Sequence, residues 1–286
     1  MSEHAVEMSL GVTLAVLGAG LLHAGWNALL KSSPGGDALL DTASVVAGGS
    51  LCAVALIAFV PLPESAAWAY LAASVVIHLG YNLTLAQAYR TGDLSFAYPL
   101  MRGTAPLIVA VLGIVVLREL PSASMALGIL LISLGIVSIA FVQRRKHPPN
   151  AAYWALTNAA LIATYTLVDA SGARASGNAA SYVSWLLFLE AFPFVLWVLA
   201  RRGRAAVRYL RGNAPRGLIG GACSLAAYGI VLWAMTRAPV AAVAALRETS
   251  VLFAALMGSL WLKEGFGLQR VVGAVSVVLG IAALKL

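Results

Sequence analysis

Polar and aromatic residues stand at helical spacing inside otherwise apolar stretches of this chain. His23, Trp26 and Asn27 occur at i, i+3 and i+4, and His78, Tyr81 and Asn82 repeat that spacing, so each trio falls on one helix face. A neutral imidazole offers one donor and one acceptor, which suits the amino or carboxylate group of a zwitterion. The neighbouring rings supply apolar walls and cation–π contacts. Tyr98, Asn158, Tyr165, Trp185 and Tyr228 extend the set, and together these residues are the candidate lining of a substrate cavity. The plainer alternative is that the amides and imidazoles hydrogen-bond between helices and the rings sit at a membrane interface. Trp68, Tyr70, Trp197 and Tyr209 are assigned to such a belt; Trp154 and Asp169, near opposite ends of one span, read as belt and cap.

Arg102, Arg247 and Glu248 also lie within apolar stretches, as does Glu190. Arginine stays charged in proteins, so each buried guanidinium requires a carboxylate, carbonyls or water. These four residues are expected to form gating ion pairs, with Glu248 or Glu190 as the partner or as the carrier of a coupled proton. Pro99, Pro106 and Pro193 interrupt helical hydrogen bonding and are candidate hinges.

The elements that must position these residues follow from composition. Of 286 residues, 61% are hydrophobic and 10% charged, and the mean hydropathy is +0.89. A soluble domain cannot cover its surface with that balance. A backbone in lipid must satisfy itself, and no barrel-type alternation appears, so the chain reads as all-α and membrane-integral. Punctuation by polar residues, Gly and Pro predicts ten spans: 8–30, 38–60, 66–90, 95–117, 122–142, 151–171, 179–200, 216–236, 239–262 and 266–285. Residues 1–8 lack the basic start of a signal peptide, so the first span is expected to remain. The excess of 19 basic over 11 acidic residues sits in connections, chiefly Gln143–Asn150 and the six-arginine stretch Arg201–Arg216, which fits membrane topology rather than nucleic-acid binding. Cys52 and Cys223 both fall in spans and suggest neither a disulfide framework nor a metal site.

Internal repetition is the most specific feature. Leu117-Arg118-Glu119, Gly128 and Gly135 recur 145 residues later as Leu262-Lys263-Glu264, Gly273 and Gly280. At the same offset Arg102 matches Arg247, Thr104 matches Thr249, and Gly113 matches Gly258. Two five-helix repeats are therefore expected, 1–142 and 151–286, joined by the basic linker 143–150. An odd number of helices per repeat makes the second enter from the opposite side, the inverted plan of many secondary transporters. Thirteen Lys and Arg in connections after odd-numbered spans, against four after even-numbered spans and at the C-terminus, place both termini outside the cytoplasm.

The apolar helix ending in Leu-x-Glu, with Gly nine residues on and Gly seven beyond, resembles the EamA repeat of the drug/metabolite transporter superfamily. Ala234-Met235-Thr236-Arg237-Ala238-Pro239 at the entry to the ninth span adds to the resemblance. It implies a ten-helix transporter with a central cavity that exports metabolites such as amino acids or sugars, and termini inside the cytoplasm, against the charge count. Tyr98-Pro99 is similar to the YddG-type aromatic amino-acid exporters, although no tryptophan stands beside the proline here. The expected partners are a small-molecule substrate, the lipid of a bacterial inner membrane and protons, with no cofactor, no nucleic acid and one copy sufficing. The competing classes are an intramembrane enzyme and a non-transporting scaffold. The chain carries no phosphate-binding GxxxxGK[ST] loop, no HExxH and no GxSxG.

Overall fold

The computed structural model describes residues 8–31, 37–92, 94–143, 148–254 and 268–285. Among these, regular structure is helical: α1 Leu10–Lys31, α2 Ala38–Ile57, α3 Ala67–Thr91, α4 Leu94–Leu112 with a π-helical end Gly113–Leu117, α5 Ala123–Gln143, α6 Pro149–Ala175, α7 Ala179–Gly212, α8 Ala214–Met235, α9 Val240–Arg247 and α10 Leu268–Ala283. From α1 to α8, each is long and apolar enough to cross a membrane; Val271–Ala283 is apolar but shorter. Lys263, Glu264 and Gly258, which carry part of the repeat pattern, lie outside the described residues.

Helix ends follow local chemistry. Asp37 and Asn178 cap α2 and α7 by accepting from Leu40 N at 3.3 Å and Ser181 N at 3.0 Å. Large apolar side chains face outward along the spans, as with Leu14, Val76, Val115 and Val278. That surface has no place in water and matches hydrocarbon. The protein is a multi-pass integral membrane protein.

Close packing pairs α3 with α6, α1 with α8, α2 with both α7 and α8, and α5 with both α4 and α10. The 145-residue offset turns the α3–α6 contact into the α8–α1 contact. Glycines show how α5 meets α10. A Cβ on Gly128 would lie 2.8 Å from the Gly280 oxygen, and one on Gly280 would lie 2.8 Å from the Gly128 oxygen. Gly135 and Gly273 stand in the same mutual relation, at 3.1 and 3.0 Å. The earlier glycine of one helix faces the later glycine of the other, so α5 and α10 cross antiparallel. Ser276 Oγ donates to the Leu131 oxygen at 2.8 Å in the middle of this contact.

The six-arginine stretch is expected as a loop, yet α7 continues into it as far as Gly212 and α8 begins at Ala214. Gly203, at φ 52°, turns the helix where it leaves the apolar span. Beyond it the arginine side chains of 204, 208 and 211 are exposed while Ala206 is buried, the pattern of a helix lying along an interface. Tyr209 donates to Asp41 Oδ1 at 2.7 Å, so it ties this segment to α2 rather than serving in a belt. Within α7 the residue that leaves helical dihedrals is Gly203, not Pro193.

Glu119 of the Leu-x-Glu motif fastens three elements. After the left-handed turn at Arg118 (φ 57°), its Oε2 accepts from Val240 N at 2.7 Å at the start of α9. Its Oε1 lies 2.7 Å from Arg174 Nη2 at the end of α6, and Arg174 Nε donates to the Met235 oxygen at 2.9 Å. Both side chains are partly exposed, so Glu119→Gln is expected to cost about 1 kcal/mol. A melting temperature unchanged by Glu119→Gln would show that this knot contributes nothing to stability.

Candidate functional site

The ninth expected span is not one continuous helix over the described residues. After α9 the chain tightens into i→i+3 bonds, with Glu248 N to the Ala245 oxygen at 3.0 Å and Thr249 N to the Leu246 oxygen at 3.1 Å. Helix resumes at 250. The cause is visible in Arg247-Glu248-Thr249-Ser250, four polar residues in an apolar run. Their side chains seek partners off the helix, and all four are buried. Gly20 of α1 makes room for the break: a Cβ there would lie 3.0 Å from Thr249 Oγ1 and 3.4 Å from Ser250 N.

Three charges meet at this break. Arg102 Nε of α4 lies 2.6 Å from Glu248 Oε2, and Arg247 Nε lies 3.5 Å from Glu248 Oε1. The first contact is a charge–charge approach without the alignment of a hydrogen bond. Glu248, not Glu190, is thus the carboxylate shared by the two repeat-related arginines. Arg102 and Arg247 are 7% and 6% exposed and Glu248 is fully buried. The cluster carries a net positive charge, and Arg102 Nη2, Thr249 Oγ1 and Ser250 Oγ have no hydrogen-bond partner among the described residues. Such groups are expensive to leave bare in a low dielectric, and they mark a place where a ligand's oxygens would be welcome.

Around the cluster stand several of the aromatic and polar residues singled out by spacing. The Arg102 guanidinium lies 6.0 Å from the Tyr98 ring centre. Trp26 Nε1 donates to His23 Nδ1 at 3.3 Å and Asn27 Nδ2 to the His23 oxygen at 2.7 Å, a knot on α1 within electrostatic reach of both arginines. Tyr165 stacks on His78 with ring centres 4.4 Å apart and meets Tyr81 edge-on at 5.7 Å. Asn158 is buried, and its amide donates to the Tyr81 oxygen and to Thr84 Oγ1, both at 2.9 Å, so it ties α3 to α6. Asn82 is half-buried on α3. Pro99 and Pro106 lie within α4 and Pro193 within α7. Trp185 stands apart from this group, edge-on to Trp68 at 5.1 Å and next to Phe188.

Asp169 is no cap. It is fully buried because α6 runs on to Ala175, six residues beyond the expected position of an end cap. Tyr182 OH donates to its Oδ1 at 3.0 Å and Tyr228 OH to its Oδ2. Glu190 Oε2 lies 3.8 Å from His78 Nε2. By spacing Tyr182 shares a side of α7 with Trp185 and Pro193, yet it is not among the residues expected to line a cavity.

A cavity of about 760 Å³ lies apart from Arg102, Arg247 and Glu248, with Arg174 in its wall. It opens between α2, the end of α6, the start of α7 and α8, and its wall includes Cys52, Leu56, Val183, Ala226 and Trp233. No residue singled out as cavity lining borders it.

Residues 149–286, from the start of α6 onward, match the model of the EamA-like transporter family. No curated protein matches the chain. A solved structure described as "Crystal structure of protein" superposes with a TM-score of 0.73 at 16% identity, over 96% of this chain and 98% of that one. At that identity the likeness is one of fold. The similarity of the second half points to a membrane transporter of small molecules.

Proposed function

We propose, from the EamA-like second half and the charged break in α9, that the protein is a secondary transporter exporting small metabolites, most suitably amino acids with apolar or aromatic side chains. The observation that carries the substrate class is the cluster of Arg102, Arg247 and Glu248 with unpaired donors from Arg102, Thr249 and Ser250. A net positive, desolvated site of this kind suits a carboxylate, and Tyr98, Trp26 and Tyr165 offer walls for an apolar side chain. Broken helices at mid-membrane are where secondary transporters hold anionic groups.

The transport cycle proposed is alternating access between repeats 1–142 and 151–286, one copy acting alone in a bacterial inner membrane. The antiparallel α5–α10 contact and the paired α3–α6 and α1–α8 contacts support two inverted halves, since exchange of halves returns each contact to itself or to its partner. Pro99, Pro106 and Pro193 are the proposed bending points.

Counterflow of labelled L-phenylalanine and other amino acids into proteoliposomes tests this reading. Saturable exchange is expected, and a panel of amino acids with no saturable flux would overturn it. Thr249→Val removes one donor while keeping shape, and it is expected to raise KM about tenfold at unchanged melting temperature, the worth of one hydrogen bond to a charged group.

A further inference from the structure

Asp169 takes no part in the carboxylate site, yet it is a fully buried acid in the middle of the bundle. Among the described residues no Lys or Arg pairs with it. Arg102 on α4 and Arg247 on α9, both helices packed against α6, are engaged by Glu248, and Arg174 on α6 is engaged by Glu119. What faces Asp169 is a set of proton carriers. Tyr182 of α7 and Tyr228 of α8 each donate to one of its oxygens. The buried Ser74 hydroxyl of α3 also faces it. Ser74 Oγ is 3.1 Å from His78 Nδ1, and His78 Nε2 faces Glu190 of α7 at 3.8 Å. Tyr165, on the same helix as Asp169, stacks on that imidazole.

Exposure falls along this row. The Glu190 side chain is 25% exposed and that of His78 14%, whereas Ser74 and Asp169 are fully buried. A carboxylate so placed, with no counter-cation among the described residues, is costly in a membrane interior, and Asp169 does not border the 760 Å³ cavity. A proton needs no space. Imidazole accepts at one nitrogen and releases from the other, and a serine hydroxyl passes on what it receives.

We propose that Glu190, His78, Ser74 and Asp169 form a proton relay that loads and unloads Asp169, coupling the transport cycle to H⁺. A proton from water reaches Glu190 and is taken up by His78 Nε2. His78 gives up its Nδ1 proton to Ser74 Oγ as the Ser74 hydroxyl proton passes to the Asp169 carboxylate. The net change is one proton gained by Asp169, with His78 left as its Nε2–H tautomer until unloading reverses each transfer. A protonated Asp169 has lost its charge, so the hydrogen bonds it accepts from the two tyrosines weaken by about half. Tyr228 is the half-buried one of the two. Loading therefore loosens the tie between α6 and α8, which is the mechanical link from the proton to helix movement. The coupling rests on the transport reading above; the relay does not.

Infrared difference spectroscopy of the reconstituted protein across a pH titration tests the relay without any substrate. A protonated-carboxyl band is expected in the wild type as pH falls. It should vanish in Asp169→Asn and return, displaced, in Asp169→Glu. Glu190→Gln and His78→Phe, at partly exposed positions, should keep the band but slow its hydrogen–deuterium exchange about a hundredfold, the scale of a lost positioned proton carrier. A band that persists in Asp169→Asn overturns the proposal, as does wild-type exchange in both Glu190→Gln and His78→Phe. A titrating Asp169 band in protein that shows no saturable counterflow across the amino-acid panel supports the relay and overturns the substrate reading instead.

Discussion

Glu248→Gln is expected to bring the protein close to unfolding. Among the described residues its carboxylate is the one acid between Arg102 and Arg247, and all three side chains are at least nine-tenths buried. Removing one partner of a buried ion pair costs about 3–5 kcal/mol because the other charge is left uncompensated. Here two guanidinium groups would be left, facing each other across the break in α9. A loss of that size is a large part of the margin of any fold and corresponds to a fall in melting temperature of roughly 10 °C. The expected signature of the charge mechanism is rescue: adding Arg102→Met to Glu248→Gln should recover a substantial part of the loss. Melting of Glu248→Gln within about 2 °C of wild type would mean that the three charges are not coupled in this way.

This cluster also shows how much of the site was legible in the sequence. The 145-residue offset pairs Arg102 with Arg247 before any coordinates are known, and intramembrane charge demands a partner, so the ion pairing was readable. That Glu248 rather than Glu190 supplies it was not, because partner choice depends on which helix faces which. The break at Arg247-Glu248-Thr249-Ser250 had a signal that hydropathy averaging conceals: four polar residues in succession, too many for one apolar helix face. Asp169 was misjudged for a related reason. Its distance from a helix end was measured on a span four residues too short, since Gly172 to Ala175 are polar or small enough to read as connection while α6 continues through them. The six arginines from 201 to 216 read as loop by charge alone, whereas interfacial helices carry such charge on one side. Eight of the expected spans are present in α1 to α8; what lies at 255–267 is outside the described residues.

The second large effect is expected at the contact of α2 with α8. A Cβ on Gly48 would strike the Gly217 backbone, and one on Gly221 would strike the backbone of Gly48 and Gly49. These clashes are with main chain, which cannot swing aside as a side chain can. The helices must separate, and in lipid that forfeits the close dispersion contacts that hold small-residue interfaces together. Gly48→Leu is therefore expected to cost about 3 kcal/mol or more, at or beyond the upper end of overpacking effects. Gly18 and Gly25 on α1 supply the comparison, because a Cβ at either meets nothing within 4 Å. Alanine at those two positions should be neutral or stabilising by up to about 1 kcal/mol through helix propensity alone. Thermal melts of the purified variants, followed by size-exclusion chromatography, separate the two groups. The contact between helices loses its claim to hold the halves together if Gly48→Leu melts with Gly18→Ala. A large loss at Gly48 beside none at Gly18 would locate the stability of the bundle in the α2–α8 approach rather than in glycine content as such.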